Sequence, residues 1–225
     1  MTKQEAYAAL VQARKECSRC KELTNPSQCC DGKHDSDEIG PWSLWQGNLN
    51  AAVMVIGQDW ADEKTFVHDK GREDDTSPTN KTLMQLLAII GVHINNPLAE
   101  KADSGIAFFT NAILCLKHGG MQAKVNDGCV TKCGKAFLLP LIQLIKPQIV
   151  VALGVAAYGC IQREYHLPSY KVFREVVEMP EGWMIMDDVR VFPRYHCGSG
   201  GINRNRSLDQ QKDDWRRIRP FLHQH

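Results

Sequence analysis

The stretch AAVMVIGQDW, residues 51–60, indicates how the chain folds. It begins with a run of small, β-branched and other apolar residues, which is typical of a strand buried on both faces of a sheet. The run ends at a glycine, and an amide, a carboxylate and an indole follow directly as Gln58, Asp59 and Trp60. Such side chains at the end of a buried strand indicate either an ordinary polar turn or the floor of a binding site.

Further apolar runs occur later in the chain, and stretches with helical spacing lie between and after them. The runs cover residues 106–109, 149–153 and 189–192, and the helical patterns cover 80–90, 133–146, 154–164 and 207–222. Short apolar strands that alternate with helices are typical of a parallel sheet covered on both faces. The sequence therefore predicts an α/β fold with a central, mainly parallel four-stranded sheet. Residues 183–186 also fit a hairpin with the last run, which would give that strand an antiparallel neighbour.

Composition places the chain among soluble globular proteins. It has 225 residues, of which 43% are hydrophobic and 24% are charged, and its formal net charge is +1. A nucleic-acid partner would therefore need a local basic patch. No apolar run reaches the length of a membrane span, and the N-terminal sequence is too polar for a signal peptide. We expect a single domain over residues 1–225, a cytoplasmic location, no membrane partner and a monomer.

The chain contains nine cysteines, an unusually large number. Their odd count and a reducing compartment argue against a disulfide framework and favour metal ligation at ligand-like spacings. Cys17 and Cys20 form a C-x2-C pair, Cys115 ends the segment TNAILC, and Cys133 begins a helical pattern. Two pairs of this kind could hold an iron–sulfur cluster or a structural zinc ion.

The remaining cysteines compete less well for this role. Cys29 and Cys30 are adjacent, and adjacent cysteines rarely ligate together; Cys129 lies close to the preferred positions. Cys160 lies within an apolar helical pattern and is expected to be a small buried residue.

Polar side chains follow the ends of three predicted strands. Asp59 follows the first strand, Asn111 the second and His196 the last. Each alone is more often a turn, cap or core residue, but parallel sheets bind ligands beyond the carboxyl ends of their strands. Together, a carboxylate, an amide and an imidazole can orient a water, read the edge of a heterocycle and stabilise a developing anion. No glycine-rich phosphate-binding motif follows the first strand.

The order of these motifs resembles the uracil-DNA glycosylase superfamily, and most closely its iron–sulfur branches. The motifs are C-x2-C, a strand ending in GQD, TNAILC, a cysteine before a leucine-rich helix and LIKPQIVVALG, and finally YH with a distal tryptophan. Seventeen residues separate Cys115 from Cys133, a spacing that in these branches favours Cys133 over Cys129. GQD also matches the start of the water-activating motif of the best-known, cluster-free branch. The segment from Phe192 to Trp215 resembles the second motif, in which a histidine precedes a DNA-inserting loop.

This resemblance implies a three-layer α/β/α sandwich and a DNA repair enzyme. The enzyme would flip uracil out of DNA and hydrolyse its N-glycosidic bond, leaving an abasic site. Asp59 would hold the attacking water and favour the cationic sugar, Asn111 would read the polar edge of uracil, and His196 would donate a hydrogen bond to its O2. The partner would be uracil-containing DNA. The alternatives are a same-fold protein that binds uracil or abasic DNA with little turnover, and an unrelated flavodoxin-like or iron–sulfur electron carrier.

The resemblance also implies a 4Fe–4S cluster, with structural zinc as the alternative. Its ligands would be Cys17, Cys20, Cys115 and Cys133. The cluster would have a structural role, because it would attach the N-terminal segment to the loop that follows Asn111.

The residues that would bind the base depart from the family pattern. Trp60 follows GQD where the best-known branch has Pro-Tyr, a pair that excludes the thymine methyl group. The iron–sulfur branches have a stacking phenylalanine near the segment REDDTSPTNKT, which here contains no aromatic residue. Phe66 is therefore the first choice for the stacking ring and Trp60 the second. Gln58 and Asn111 complete the expected substrate-binding set.

Basic residues near the C-terminus are expected to contact DNA. The segment contains several arginines, and the acidic residues among them favour a solvated helix face for part of it. Beside an insertion loop, Arg204 and Arg206 are expected to bind phosphates. Ile202 or Arg204 would fill the gap left by the flipped nucleotide.

Overall fold

A computed structural model describes residues 1–97, 107–186, 188–198 and 206–222. The helices are α1 (Lys3–Lys15), α2 (Pro41–Trp45), α3 (Glu63–His68), α4 (Pro78–Ile89), α5 (Asp127–Cys133), α6 (Leu139–Ile145), α7 (Gly154–Glu164), α8 (Phe173–Val177) and α9 (Leu208–Arg216). The strands are β1 (Leu23–Thr24), β2 (Val53–Gly57), β3 (Ala107–Asn111), β4 (Leu116–Lys117), β5 (Ile149–Leu153), β6 (Trp183–Met186) and β7 (Val189–Arg194).

The central sheet has the strand order β3-β2-β5-β7-β6. The first four strands in this order are parallel, and β6 runs antiparallel to β7 at the edge. The predicted α/β fold is thus confirmed, with its four parallel strands in place. The 183–186 segment adds a fifth, antiparallel strand. A separate two-stranded sheet pairs β1 with β4, which the sequence did not predict.

Both faces of the sheet are covered, which explains why its strands are apolar without alternation. In β2, Met54 and Ile56 pack into a core formed with α1 and α5 to α8, whereas Val53 and Val55 pack into a core formed with α2, α4 and α9. Every residue of β2 is buried. Since each large aliphatic side chain buried in this way contributes roughly 1.5–3 kcal/mol, the two cores hold the three layers together.

A long apolar helical stretch crosses one face of the fold. Helix α5 continues through a π-helical turn, Gly134–Leu138, into α6, and Pro140 is the second residue after that turn. Among the described residues, this stretch of Asp127–Ile145 is the one helix with the length and composition to cross a membrane. Half of it is buried inside the fold, so packing on the sheet accounts for its apolar residues.

The parallel arrangement places several chain segments at one edge of the sheet. The carboxyl ends of β2, β3, β5 and β7 all lie there, because these strands run in the same direction. Residues 58–60, Asn111 and residues 195–198 therefore meet beyond this edge, where open α/β sheets bind their ligands.

Candidate active site

A cavity of about 620 Å³ lies beyond the carboxyl edge of the sheet. Its walls include five of the residues predicted to form the site: Gln58, Asp59, Trp60, Asn111 and His196. The remaining lining residues are Trp42, Gly57, Glu73, Ser77, Pro78, Thr79, Asn80, Lys117, Met121, Gln122 and Gly198. The structure thus brings together the carboxylate, the amide and the imidazole that the strand ends indicated.

Asn111 owes its position to a glycine on the neighbouring strand. It is the last residue of β3, is 4% exposed, and lies opposite Gly57 in the register of β2 and β3. A Cβ atom on Gly57 would lie 2.4 Å from the Asn111 Oδ1 and 3.0 Å from the Trp42 ring. Only a residue without a side chain therefore allows the amide and the indole to approach at this point.

Asp59 is held by two donors. Its Oδ2 accepts a hydrogen bond from the Gln58 Nε2 at 2.7 Å, and its Oδ1 forms an ion pair with the Lys117 Nζ at 2.9 Å. The side chains of Asp59 and Lys117 are each 6% exposed, and the ammonium also donates to the Met121 carbonyl at 2.6 Å. A carboxylate has about four acceptor positions, so Asp59 can still accept a hydrogen bond from a water in the cavity.

Lys117 was missed in the sequence because it stands alone at the end of the two-residue strand β4. Neither its spacing nor its neighbours form a motif, and its link to Asp59 depends on the fold. The isolated β-bridge between Asp62 and Lys117 holds the two segments side by side.

His196 presents a neutral imidazole to the cavity. The Gly198 backbone N–H donates to its Nδ1 at 3.1 Å, which assigns the proton of the neutral ring to Nε2. The residue is exposed to solvent, and the protein around the ring still lowers the pKa of His196, although the Asp59 carboxylate opposes the shift. The side chain is therefore suited to donate a hydrogen bond from Nε2 without carrying charge.

Two indoles form the aromatic wall of the cavity. Trp60 and Trp42 both line it, and the sequence reasoning missed Trp42, which lies on α2 well before GQD. Phe66 is 1% exposed and packs with its ring edge-on to Trp60, at 5.5 Å between centroids, in a cluster with Cys29 and Leu116. The prediction that Phe66 stacks on the base does not agree with this placement, because the ring lies behind Trp60.

A carboxyl group lies beside the two indoles. Glu73 accepts hydrogen bonds from the Trp60 Nε1 and from the Asn80 Nδ2 at 2.7 Å. Burial raises the pKa of Glu73 to about 7, because the loss of solvent outweighs the side chains of Asn80, Trp60 and Trp42, which favour the charged form. Glu73 lies in the segment REDDTSPTNKT, where no sequence motif marks it.

A second cleft, of about 790 Å³, opens beside the first. The two share Gln58 and His196 as lining residues, so they lie side by side. The second cleft runs along the start of α7, and its lining includes Arg163 and the exposed residues Val155 and Val172.

Five cysteines line a third cavity, of about 390 Å³: Cys17, Cys20, Cys115, Cys129 and Cys133. Within the described ranges, no three Cys, His, Asp or Glu side chains converge closely enough for one metal ion. Burial raises the pKa of the Cys115 thiol to about 12, and Cys17 and Cys20 add to the shift. The cysteine donors are all sulfur, and basic side chains such as Arg14 and Lys132 share the cavity, a chemistry that fits either an iron–sulfur cluster or a structural zinc ion.

The structure does not separate Cys129 from Cys133 as the fourth ligand, since both line this cavity. The Cys129 Sγ donates to the Glu22 carboxylate at 3.1 Å. Cys160 is 1% exposed and packs against Gly134, where a Cβ atom would lie 2.4 Å from its sulfur, so the expectation of a buried apolar residue is confirmed.

Of the three residues predicted to contact DNA, the structure describes Arg206 alone. Ile202 and Arg204 lie outside the described residues. Arg206 donates to both carboxylate oxygens of Asp214, at 2.9 and 2.8 Å, and to Glu178 at 3.0 Å, with its side chain 10% exposed. The expectation that Arg206 binds phosphate therefore does not agree with the structure, because its guanidinium already holds α9 to the end of α8.

Comparison with known families gives a clear match. The model of the uracil DNA glycosylase superfamily matches residues 44–221. The chain belongs to the uracil DNA glycosylase superfamily. The match includes Asp59, Asn111 and His196, whereas Cys17 and Cys20 precede it. A comparison with curated proteins finds no match. As a superfamily member, the chain is expected to bind DNA and to act as a DNA glycosylase.

Proposed function

We propose that the protein is a monofunctional uracil-DNA glycosylase, which hydrolyses the N-glycosidic bond of a flipped uracil and leaves an abasic site. The observation that carries this proposal is the convergence of Asp59, Asn111 and the neutral His196 on one cavity. DNA containing uracil is the partner, and one copy of the chain carries the complete set of groups.

The cavity requires the base to leave the DNA stack. The anomeric carbon of a stacked nucleotide cannot reach residues at the floor of a cavity, so the nucleotide must rotate out of the duplex or come from a single strand. The Asn111 amide then offers one donor and one acceptor to the polar edge of uracil. The indoles of Trp42 and Trp60 provide the apolar surface for its ring.

Bond cleavage separates two charges that the site is suited to stabilise. As the C1′–N1 bond breaks, its electron pair leaves with the base, which becomes a uracil anion, and the sugar becomes an oxocarbenium ion. The His196 Nε2–H donates to O2 of the anion, and Asp59 lies on the side of the cation. A water held by Asp59 adds to C1′, and its proton leaves to the carboxylate or to solvent.

The contacts of the Lys117 ammonium favour simple hydrolysis over attack by an amine. An amine nucleophile would form a covalent link with C1′ and lead to strand cleavage, but this ammonium is engaged by Asp59 and the Met121 carbonyl. The expected product is therefore DNA with an intact abasic site.

The second candidate function is a protein of this fold that binds uracil or abasic DNA with little turnover. One observation favours it. Lys117 neutralises part of the charge on Asp59, which weakens the stabilisation that the carboxylate offers to a cationic sugar.

The cysteine cavity would hold a 4Fe–4S cluster in a structural role. Four thiolates from Cys17, Cys20, Cys115 and either Cys133 or Cys129 would bind it. When bound, such a cluster supplies cross-linking of distant segments and has a capacity for electron transfer. The cluster would link α1 to the segment after Asn111. Contacts within the protein already support this region, because Asn25 donates to three backbone carbonyls at the end of α1 and just after it.

A strand-cleavage assay tests the proposal. Excess protein is incubated with an oligonucleotide that contains one uracil, and alkali then cleaves any abasic site. We expect cleavage at the uracil position only after alkali treatment, and its loss in Asn111→Ala. Cleavage before alkali would contradict the monofunctional mechanism. Tight binding of the oligonucleotide without cleavage would favour the second candidate.

A further inference from the structure

We propose that Glu73 controls base selection, because it holds the indole of Trp60 in place as a wall of the base cavity, beside Trp42. This inference rests on the proposed function, and it concerns which base that site accepts. Glu73 is a positioning residue, since it acts through the indole of Trp60.

The carboxyl group of Glu73 is the common acceptor for two side chains. Trp60 and Asn80 both donate to it, and these three residues line the same cavity as Trp42. Asn80 is itself buried and also donates to the Asp74 carbonyl at 2.9 Å, which fixes the carboxyl group to the start of α4. The indole of Trp60 is therefore linked to a helix through this acceptor.

The opposite edges of the indoles are also supported. Trp60 packs on the buried ring of Phe66, and the ring of Trp42 packs on Phe109 of β3 with 5.5 Å between centroids. Packing limits how far each indole can tilt, and the hydrogen bond to Glu73 also fixes the rotation of Trp60. With both constraints, the Trp60 wall does not retreat to admit a larger base.

Fixed walls matter because the cavity volume alone does not select a base. At about 620 Å³ the cavity exceeds the volume of a single pyrimidine, so uracil and thymine both fit by volume. Their difference is one methyl group at C5. A well-defined apolar pocket separates ligands that differ by one such group by roughly 10- to 200-fold. This discrimination requires that the wall facing C5 stays in place.

The protonation of Glu73 gives the proposal a pH signature. With a pKa of about 7, the group is charged above neutral pH and accepts from both Trp60 and Asn80. Once protonated, it carries a donor of its own, which competes with the indole N–H of Trp60. The titratable groups around it are Asp69, together with Asp59, Lys117 and His196 of the same cavity. Their titration alters cleavage of every substrate, whereas the ratio between two bases reports on the walls.

The test compares two bases in one oligonucleotide context. Single-turnover rates are measured for uracil and for thymine opposite guanine from pH 5.5 to 8.5. In the wild-type protein we expect the uracil-to-thymine ratio to rise with pH through about 7. In Glu73→Gln we expect the ratio to be about tenfold lower at pH 8 and independent of pH, because the amide NH₂ faces a donor. Glu181→Gln, at an exposed position outside the cavity, serves as the matched control.

A binding measurement separates this proposal from the proposed function. Free uracil and free thymine are titrated against each protein, with binding followed by saturation-transfer NMR. If the wild-type protein cleaves neither base, the proposed function fails, but a lower preference for uracil in Glu73→Gln still supports the role of Glu73. Trp60→Phe, which lacks the N–H and keeps a ring, should lose selectivity to a similar extent. An unchanged base preference in both variants would overturn the proposal.

Discussion

Replacement of Lys117 by methionine should destabilise the protein strongly, although the two side chains are similar in length. The substitution leaves Asp59 buried without its cation and removes a donor from the Met121 carbonyl. Removing one partner of a buried ion pair typically costs about 3–5 kcal/mol. Coulomb's law at the 2.9 Å between Nζ and Oδ1 gives an attraction of about 6 kcal/mol at an effective dielectric constant of 20, before the desolvation of the two groups is subtracted. We therefore expect the free energy of unfolding to fall by roughly 4 kcal/mol.

The assay is urea denaturation at pH 7.5, followed by tryptophan fluorescence. For a slope of about 2 kcal/mol per molar, the midpoint should fall by about 2 M urea. The double variant Asp59→Asn with Lys117→Met removes both charges, so it should recover more than half of the lost stability. A Lys117→Met midpoint within about 0.3 M of the wild type would refute the reasoning, as would a double variant that is no more stable than the single one.

Three further results follow from the packing of the site. Gly57→Ala should displace the Asn111 amide, since the new Cβ would meet its Oδ1, and uracil release should slow on the order of 10²-fold in single-turnover assays. Glu73→Gln should flatten the pH dependence of stability. The folded-state pKa of Glu73 lies above its unfolded value, so its contribution to stability is complete below about pH 4.5 and is lost as the pH rises through about 7. The free energy of unfolding, measured by urea denaturation at each pH, should therefore change by roughly 3 kcal/mol. Cys17→Ser should lower the iron content and the visible absorption of protein purified without oxygen.

Each of these results has a matched control. Gly40→Ala places a Cβ in ordinary contact, 3.8 Å from Leu114, and should leave the rate unchanged, so an equal loss in both glycine variants would contradict the explanation. A stability profile of Glu73→Gln that still falls with pH would assign the effect to other groups. For the cysteines, Cys160→Ser should retain its iron; unchanged iron in Cys17→Ser would exclude Cys17 as a ligand.

The sheet was predictable because its burial is uniform. Strands β2, β3, β5 and β7 have helices on both faces, and such strands stand out as unbroken apolar runs. The strands β1 and β4 have two residues each, too short for any periodicity, and they pair only because the fold brings them together. The edge strand β6 was found through its hairpin with β7.

The site was predictable where it depends on strand ends and not where it depends on side-chain contacts. Asp59, Asn111 and His196 follow strands, so the parallel sheet alone brings them to one edge. Lys117 and Glu73 act through partners that are distant in the sequence, and no local pattern marks either residue. Phe66 was chosen as the stacking ring because it is close to GQD, but proximity along the chain does not tell which side of Trp60 a ring occupies, and the structure buries it against that indole.

For the cysteines, too, sequence spacing predicts the neighbourhood but not every partner. Spacing predicted that Cys17, Cys20, Cys115 and Cys133 lie close together, and all four line one cavity. Cys129 lines it too, because one turn of helix α5 separates it from Cys133. Spacing along a helix places both thiols on the same face, so sequence alone does not choose between them.

The central claim is that this cavity releases uracil by hydrolysis, and direct detection of the free base tests it best. Excess wild-type protein and an Asp59→Asn variant are each mixed with a uracil-containing oligonucleotide, and both products are identified by mass spectrometry. The account predicts one equivalent of free uracil and an intact abasic strand with the wild-type protein. It predicts release slowed by at least about 10²-fold with Asp59→Asn. Absence of free uracil with the wild-type protein, at concentrations where the oligonucleotide is fully bound, would contradict the account.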